Sequence, residues 1–423
     1  MRSIPIYLAI PIVCFGQPRM QLTLAEAQRL AIQNNPSFTA AKYNAAAAYQ
    51  VAPQYKAAYE PNLYGSFTTV GADNGSRLAA GALNNPVVYN RVGSGLSIAQ
   101  MLTDFGRTSN LIAMAKLQAS AQDQVTETTR ADILLNTSRA YFNVLRSQAV
   151  LKVAVQTVAA RQTVSDQVTA LFESKLKSSL DVSFANVNLA DAKLLLVQAQ
   201  SDEKAAEADL ATAMGLPNES GFVLSEEPMP AAMPDRVDDL VREAMQNRPE
   251  LKNLRLQQSA AQRFTKAEHD LYYPTVGVIG TTGVAPAAVD TIPGRYGAIG
   301  MNVTIPIFNG GLFKARQAAA EMKAKAATEN VNDLQNRVTR DVRVAWLNAT
   351  TAYDRMGLTQ QLLQQATLAL DLAQTRYDYG LGNIVELSTA QLNVTSAQIA
   401  DASALYEYQT QRILVDYQTG VLH

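Results

Sequence analysis

The sequence predicts a mainly α-helical protein with a small β part, in which one structural unit occurs twice. The predicted order within each unit is helix, strand, strand, very long helix and helix. Three observations lead to this fold class. The sequence contains an internal repeat, two long proline-free stretches are rich in helix-forming residues, and short paired segments alternate apolar with small or polar residues.

The internal repeat covers most of the chain and changes its offset once. The segments that align are 22–36 with 235–249, 138–145 with 343–350, and 178–193 with 383–398. The last pair places Asp181 on Glu386, each directly after a break in a long helical stretch. The change of offset falls between Pro61 and Tyr141, so we expect an insertion in that part of the first unit.

The first residues are typical of a signal peptide. Residues 4–15 form an apolar run that is too short to cross a bilayer as a helix. Small residues at the end of this run predict a signal peptide over residues 1–16, and lipidation of Cys14 is the alternative. Cys14 is the only cysteine, so we expect an exported protein without a disulfide or a thiolate site.

The charge balance argues against a nucleic-acid-binding protein. The chain has 36 basic and 37 acidic side chains and a formal net charge of −1, whereas nucleic-acid-binding domains carry a basic patch or a high pI. No segment after the signal peptide resembles a transmembrane helix. Insertion into a membrane would therefore require strands.

Four segments are predicted to be strands, at 61–71 and 92–102 in the first unit and at 274–283 and 298–308 in the second. Each is about nine to eleven residues long, which is the length that a tilted membrane strand needs. The alternative is a soluble sheet whose apolar face packs on a core. Aromatic residues near the strand ends are expected to form an interfacial girdle, namely Tyr64, Phe67, Tyr89, Tyr272, Tyr273, Tyr296 and Phe308.

Two stretches are predicted to be very long helices. Residues 107–172 and 312–377 lack proline and are rich in Ala, Gln, Lys, Glu, Leu and Arg, which are strong helix formers. A helix of this length would extend roughly 100 Å at 1.5 Å per residue. The alternative is a set of shorter helices in a soluble bundle.

Four strands cannot close a barrel, and an open sheet edge in hydrocarbon leaves backbone groups unpaired. We therefore expect oligomerisation, and three copies related by cyclic symmetry would supply twelve strands. The long helices would then form a ring as well. Their predicted contact is a seam of small and apolar residues, for example Ala315, Ala318, Ala319, Met322 and Ala326.

The ordered set of motifs resembles the TolC-type outer membrane efflux factors. The motifs are LTLAEAQRLAIQNNP at 22–36, TDFGR at 103–107, FNGG at 308–311 and RYDYGLGNIVELSTAQLNVTSAQ at 376–398. The resemblance implies an outer membrane channel-tunnel of a tripartite efflux pump or type I secretion system, which exports small molecules or a secreted polypeptide. It also implies a homotrimer with a 12-stranded β-barrel that continues into an α-helical barrel, in contact with outer membrane lipid.

The resemblance further implies an equatorial domain and two protein partners. The link 217–236 contains four prolines and would lie in the equatorial domain, between the first unit at 17–216 and the second at 237–423. The implied partners are a periplasmic adaptor protein and an inner-membrane pump.

In this family, the turn at the far end of each helical hairpin docks on the adaptor. Gly380, Leu381 and Gly382 match that turn in the second unit, and glycine accepts the positive φ that such a turn requires. Lys175 and Leu176 match it in the first unit. Because lysine replaces glycine there, we expect the first turn to be more basic and more helical than the second.

Residues just inside the tip close the tunnel in this family, and Asp181, Glu386, Tyr377 and Phe172 match those gate positions. Three-fold symmetry would place up to six carboxylates in one ring, which favours cations. Repulsion within the ring is expected to raise their pKa values and to favour divalent cations. The alternative is that each acid only stabilises the N-terminus of its own helix.

The sequence gives little support to an enzyme. It contains no nucleotide-binding glycine loop, no HExxH, no nucleophile elbow and no paired-cysteine zinc site, and His269 and His423 are the only histidines. We therefore predict neither a cofactor nor a metal site. A remaining alternative is an exported periplasmic helical scaffold without a pore, although a scaffold does not account for strand pairs at equivalent points of both units.

Overall fold

The computed structural model describes the following residues: 21–73, 90–217, 221–286 and 294–422. The predicted signal peptide 1–16, with Cys14, and the predicted girdle residue Tyr89 lie outside these ranges. The chain is mainly helical with a small sheet, as predicted. Within the described ranges, no helix has both the length and the apolar character that are needed to span a bilayer.

The helices form two groups that follow the repeat. The helices of the first group are α1 (Leu24–Asn34), α2 (Pro36–Tyr49), α3 (Val51–Lys56), α4 (Arg107–Glu173) and α5 (Ser179–Ala213), and those of the second are α6 (Val237–Asn247), α7 (Pro249–His269), α8 (Leu312–Asp378) and α9 (Ile384–Thr419). The two long helices, α4 and α8, have 67 residues each. Each ends one residue beyond its predicted range of 107–172 or 312–377.

The strands form two separate sheets. The strands are β1 (Gln21–Leu22), β2 (Asn62–Val70), β3 (Arg91–Thr103), β4 (Val223–Leu224), β5 (Thr275–Val284) and β6 (Arg295–Thr304). Strands β1 and β4 pair in parallel, and the other sheet has the order β2-β3-β5-β6 with antiparallel pairing throughout.

The prediction of a strand over 298–308 is wrong at both ends. Strand β6 begins earlier, at Arg295, and ends at Thr304, opposite Thr275 of β5. Pro306 lies just beyond this end, and proline has no backbone N–H to donate to a partner strand. The apolar alternation continues past Thr304 in the sequence, but the hydrogen-bonded ladder does not.

The chain divides into two compact units, which we name the hairpin unit and the sheet unit. The hairpin unit comprises Met1–Pro36, Arg130–Leu240 and Val342–His423, and the sheet unit comprises Ser37–Thr129 and Val241–Asp341. Each half of the repeat contributes residues to both units.

In the sheet unit, many large apolar side chains of the four-stranded sheet are exposed. Every residue of β6 is exposed, with Ile299 at 83% and Met301 at 70%. The described members of the predicted aromatic girdle are exposed as well. The predicted seam residues Ala315, Ala318, Ala319, Met322 and Ala326 are also exposed, and Ala320 is the buried alanine of this stretch.

The TDFGR turn fixes the start of α4 in the sheet unit. Asp104 is buried, and its Oδ2 accepts hydrogen bonds from the backbone N–H of Thr108 at 2.7 Å and from the Thr108 hydroxyl at 2.6 Å. Phe105 and Gly106 both have positive φ, at 55° and 116°. The aspartate thus satisfies helix donors that have no partner within the helix.

In the hairpin unit, side chains from the long helices hold the segment that links the two repeats. The buried Tyr141 hydroxyl donates to the backbone oxygens of Leu22, at 3.0 Å, and Ser225, at 2.6 Å, and so bridges the ends of β1 and β4. Burial raises the pKa of Tyr141 to about 12, so it remains a donor at neutral pH. Trp346, which the repeat aligns with Tyr141, donates from Nε1 to the backbone oxygen of Pro234 at 2.8 Å.

Candidate functional site

The two helical hairpins end in turns with the same backbone conformation. The turn between α4 and α5 has Lys175 at φ 60°, and the turn between α8 and α9 has Gly380 at φ 73°. In the first, the N–H of Leu176 donates to the oxygen of Leu171 at 2.8 Å. In the second, the equivalent bond from Leu381 to Arg376 is also 2.8 Å. Both turns are therefore Schellman-type helix ends.

The expectation that the first turn is more helical is wrong. Lys175 adopts the left-handed conformation although it is not glycine, at a cost of about 1–2 kcal/mol relative to glycine. The expectation of positive φ at Gly382 is also wrong, since Gly380 alone carries it in this turn. A Cβ at Gly382 would instead lie 3.2 Å from Cβ of Arg376 and 3.3 Å from Oε2 of Glu386.

The predicted gate residue Asp181 lies at the third position of α5 and caps that helix. Its Oδ2 accepts from the backbone N–H of Ser178 at 2.9 Å and from the Ser178 hydroxyl at 2.7 Å. In return, the Asp181 N–H donates to the Ser178 Oγ at 3.3 Å, which completes a capping box. Within one chain, these bonds from Ser178 lower the pKa of the Asp181 carboxyl.

Glu386 occupies the equivalent position in α9 but makes different contacts. Asn383 is the N-cap, and its Oδ1 accepts from the Glu386 N–H at 2.8 Å. The Glu386 carboxylate forms an ion pair with Nε of Arg376 at 3.1 Å. Arg376 also donates from Nη2 to the backbone oxygen of Leu381 at 3.2 Å. Arg376 thus links the turn between α8 and α9 to the N-terminal end of α9.

The other two predicted gate residues differ in burial. Tyr377 is 7% exposed and packs with Val168, Ala185 and Leu387, whereas Phe172 is 43% exposed. The Tyr377 hydroxyl is buried without a hydrogen-bond partner among the described residues. Burial, followed by the negative charges of Asp181 and Asp378, raises the pKa of Tyr377.

Lys177 was not predicted as a site residue, and it connects the two hairpins. Its Nζ lies 4.0 Å from the centroid of the Tyr377 ring, within the range of a cation–π interaction. Its charge also contributes to the lowered pKa of Asp181. The structure thus brings Lys177, Tyr377 and Asp181 together.

Sequence reasoning also missed Arg376, although a basic residue in the last turn of a helix is a recognised signal.

In the two turns, Leu176, Tyr379 and Leu381 are exposed apolar side chains. Among the described residues, no group of three or more His, Cys, Asp or Glu side chains is arranged to hold a metal ion.

Comparison with known proteins identifies the family. The family model described as outer membrane efflux protein matches residues 27–216 and 240–420, which is more than half of the chain. The chain belongs to the outer membrane efflux protein family. The predicted family, outer membrane location and efflux function are thereby confirmed. The family consists of transport channels and indicates no catalytic activity.

Individual relatives are distant but match over nearly the whole chain. Outer membrane protein TolC of Salmonella enteritidis is 24% identical over 100% of this chain and 87% of its own length. Alkaline protease secretion protein AprF of Pseudomonas aeruginosa is 22% identical over 95% of this chain and 85% of its own length. The CmeC outer membrane channel of Campylobacter jejuni has the same fold, with a TM-score of 0.79 at 18% identity, over 99% of this chain and 94% of that chain.

Proposed function

We propose that three copies of this outer membrane efflux protein form a channel-tunnel that serves as the exit duct of a tripartite pump. The observation that carries the proposal is the exposed four-stranded sheet. Among the described strands, its outer members β2 and β6 each pair on one edge only. In hydrocarbon, their other edges must pair with strands of further copies.

Three copies would supply the twelve strands of a closed barrel. The exposed apolar side chains of β6, such as Ile299 and Met301, would then face lipid, and the exposed aromatic residues would lie at the membrane interfaces. The exposed seam of Ala315, Ala319 and Met322 would lie between helices of neighbouring copies in an α-helical barrel. The alanines would allow close approach of those helices.

The proposed division of the chain follows the repeat. Residues 1–16 would be a signal peptide, and residues 17–216 and 237–423 would be the two structural repeats. The link 217–236 would lie in an equatorial domain. Its backbone oxygens are held by the Tyr141 and Trp346 side chains, which supports a structural role for this segment.

The two turns are the proposed docking tip for a periplasmic adaptor protein, which would connect the duct to an inner-membrane pump. The exposed leucines Leu176 and Leu381 occupy equivalent positions and would provide apolar contact. Lys175, Gly380 and Gly382 would complete the tip. The cargo, whether small molecules or a secreted polypeptide, would be selected largely by the pump.

The gate would lie just inside the tip, at Asp181, Glu386, Tyr377 and Phe172. Three-fold symmetry would bring the carboxylates of three chains into one constriction, which favours cations over anions. Within one chain, Asp181 is held by Ser178 and Glu386 is paired with Arg376. A divalent cation bound in the ring would have to compete with these contacts.

The test is single-channel conductance of the purified mature protein in planar bilayers, with divalent cation added to one side at a time. The proposal predicts a small, stable, cation-preferring conductance that is blocked from the helical side. Combined Asp181→Asn and Glu386→Gln substitutions are expected to weaken the block, and an unchanged block constant would contradict the gate assignment. A well-folded sample that never inserts, and that leaves membranes in carbonate, would instead indicate a periplasmic scaffold.

A further inference from the structure

The further inference concerns a groove in the hairpin unit, between α4, α5 and α9. Its volume is about 410 Å³, within the usual range of small-molecule sites. Its apolar lining comes from residues on two helices, namely Phe184, Val187 and Leu195 of α5 and Val385 and Leu392 of α9. Small-molecule sites are typically apolar with a few polar groups that orient the ligand.

The polar group that distinguishes this groove is Arg161 of α4. Arg161 lines the groove and is only 7% exposed. Within the described part of the chain, its guanidinium makes one hydrogen bond, from Nη1 to Oε1 of Gln391. No carboxylate among the described residues lies within ion-pair distance of it. A buried arginine stays charged, so an uncompensated one is expensive to desolvate.

The repeat indicates that the fold itself does not require this charge. The alignment that places Asp181 on Glu386 also places Arg161 on Ala366. Ala366 is buried as well, in an apolar cluster with Val394 and Ala397. The aligned position is therefore a buried alanine, Ala366, in the second repeat and a buried cation beside the groove, Arg161, in the first.

Asp191 is the acidic residue that lines the groove. It is exposed, and its negative charge acts on Arg161 and opposes the effect of burial on the arginine pKa. Its carboxylate partly compensates the arginine without contacting it. An anion that entered the groove would pair directly with the remaining guanidinium donors, although Asp191 would repel it.

We propose that this groove binds an amphipathic monoanion, a single sulfonate or carboxylate on an apolar body, through Arg161. The anionic group would pair with the guanidinium, which suits planar, two-point recognition of oxyanions. The apolar body would cover Phe184, Val187 and Leu392. The inference goes beyond the proposed duct function and does not depend on pore formation or on the gate.

The test is isothermal titration calorimetry on the full-length mature protein in lipid nanodiscs, with empty nanodiscs as the blank. The probes are naphthalene-2-sulfonate, which is anionic, and naphthalene-2-sulfonamide, which has the same apolar body without the charge. Four proteins are compared: the wild type, Arg161→Gln, Asp191→Asn and Arg146→Gln. Arg146 is an exposed arginine of the same helix outside this groove and serves as the matched control.

The expected results separate charge recognition from nonspecific partition. Arg161→Gln should weaken sulfonate binding at least tenfold and change sulfonamide binding less than twofold, because a charge-assisted pair is lost. Asp191→Asn should tighten sulfonate binding about two- to threefold by removing a repulsion. Arg146→Gln should change neither. Arg161→Gln is expected to fold, because it removes a buried charge at a position where the repeat has alanine.

Two outcomes would overturn the proposal. Equal sulfonate affinity for the wild type and Arg161→Gln would show that the arginine does not recognise the anion. Failure of the wild type to bind naphthalene-2-sulfonate would show that the groove holds no such anion. A change in the oligomeric mass of Arg161→Gln, measured by light scattering, would then identify the groove as a contact between copies of the chain. In either case the wild-type conductance would still test the duct, so the two proposals fail independently.

Discussion

The turn that joins α4 to α5 and the turn that joins α8 to α9 can be compared residue by residue, because the repeat aligns them without a gap. Both have a left-handed residue at the same position, Lys175 or Gly380, and the same closing hydrogen bond. Their side chains differ at almost every position. In the first turn, the Asp181 carboxylate accepts a hydrogen bond from the N-cap Ser178. In the second, the Glu386 carboxylate forms an ion pair with Arg376.

The difference shows that one backbone can be stabilised by two sets of contacts. The residue aligned with Arg376 is Leu171, so the first turn has no cation at that position. The first turn is thus held by a capping box, whereas the second has an N-cap from Asn383 and an ion pair that joins the two helices.

The largest expected effect concerns the aligned aromatic residues Tyr377 and Phe172. Tyr377→Ala should lower the free energy of local opening of its hairpin by about 3 kcal/mol, because it empties a buried apolar cluster. Phe172→Ala is the matched control and should cost about 0.5 kcal/mol, since Phe172 is largely exposed. Hydrogen exchange of the amides around each turn measures both values. Equal losses would mean that burial does not distinguish the two positions.

The next effect concerns the left-handed residues, and the two substitutions should act in opposite directions. Gly380→Ala should destabilise the second turn by about 1 kcal/mol, because a side chain is strained at φ 73°. Lys175→Gly should stabilise the first turn by a similar amount, about 1 kcal/mol, by relieving the same strain. The measurement is again hydrogen exchange of the turn amides. A loss of protection in Lys175→Gly would indicate that the lysine side chain makes a contact that outweighs the strain.

A comparable effect is expected from the cap of α5, and it should depend on pH. Ser178→Ala should cost about 1 kcal/mol by removing the capping side chain. Folding lowers the Asp181 pKa below its ordinary value of 3.8. The stability from its carboxylate is therefore fully present above that value and is lost as the pH falls through the lower folded pKa.

Hydrogen exchange of the first turn of α5 from neutral pH to below pH 4 tests this expectation, after correction for the intrinsic exchange rate. In the wild type, protection should be constant at neutral pH and should fall only at the acid end. Ser178→Ala should have lower protection throughout and a weaker acid dependence. Asn383→Ala, at the aligned cap of α9, is the control that should leave the first turn unchanged.

The smallest effect is expected from the ion pair between Arg376 and Glu386. Both side chains are about half exposed, and such pairs typically contribute less than about 1 kcal/mol. A double-mutant cycle with Arg376→Gln and Glu386→Gln should give a coupling of about 0.5 kcal/mol that decreases with added salt. A coupling well above this value, insensitive to salt, would mean that the pair is shielded from solvent in the assembled protein.

Local features were predictable wherever a local chemical rule controls the backbone. The long helices follow stretches without proline, so their ends were predicted to within one residue at Glu173 and Asp378. The end of β6 was missed because apolar alternation does not reveal that Pro306 cannot extend a hydrogen-bonded ladder. Glycine correctly marked the left-handed turn at Gly380, but the same rule failed at Lys175, where the fold imposes the strained conformation.

The repeat, the helical and strand segments, and the resemblance to the family all follow from the order and spacing of residues along the chain. Which of the aligned side chains are buried follows only from tertiary packing. Tyr377 and Arg161 are buried whereas Phe172 is exposed, and Trp346 and Tyr141 hold different parts of the link. Burial depends on side chains far away in the sequence, and two identical backbone segments meet different neighbours.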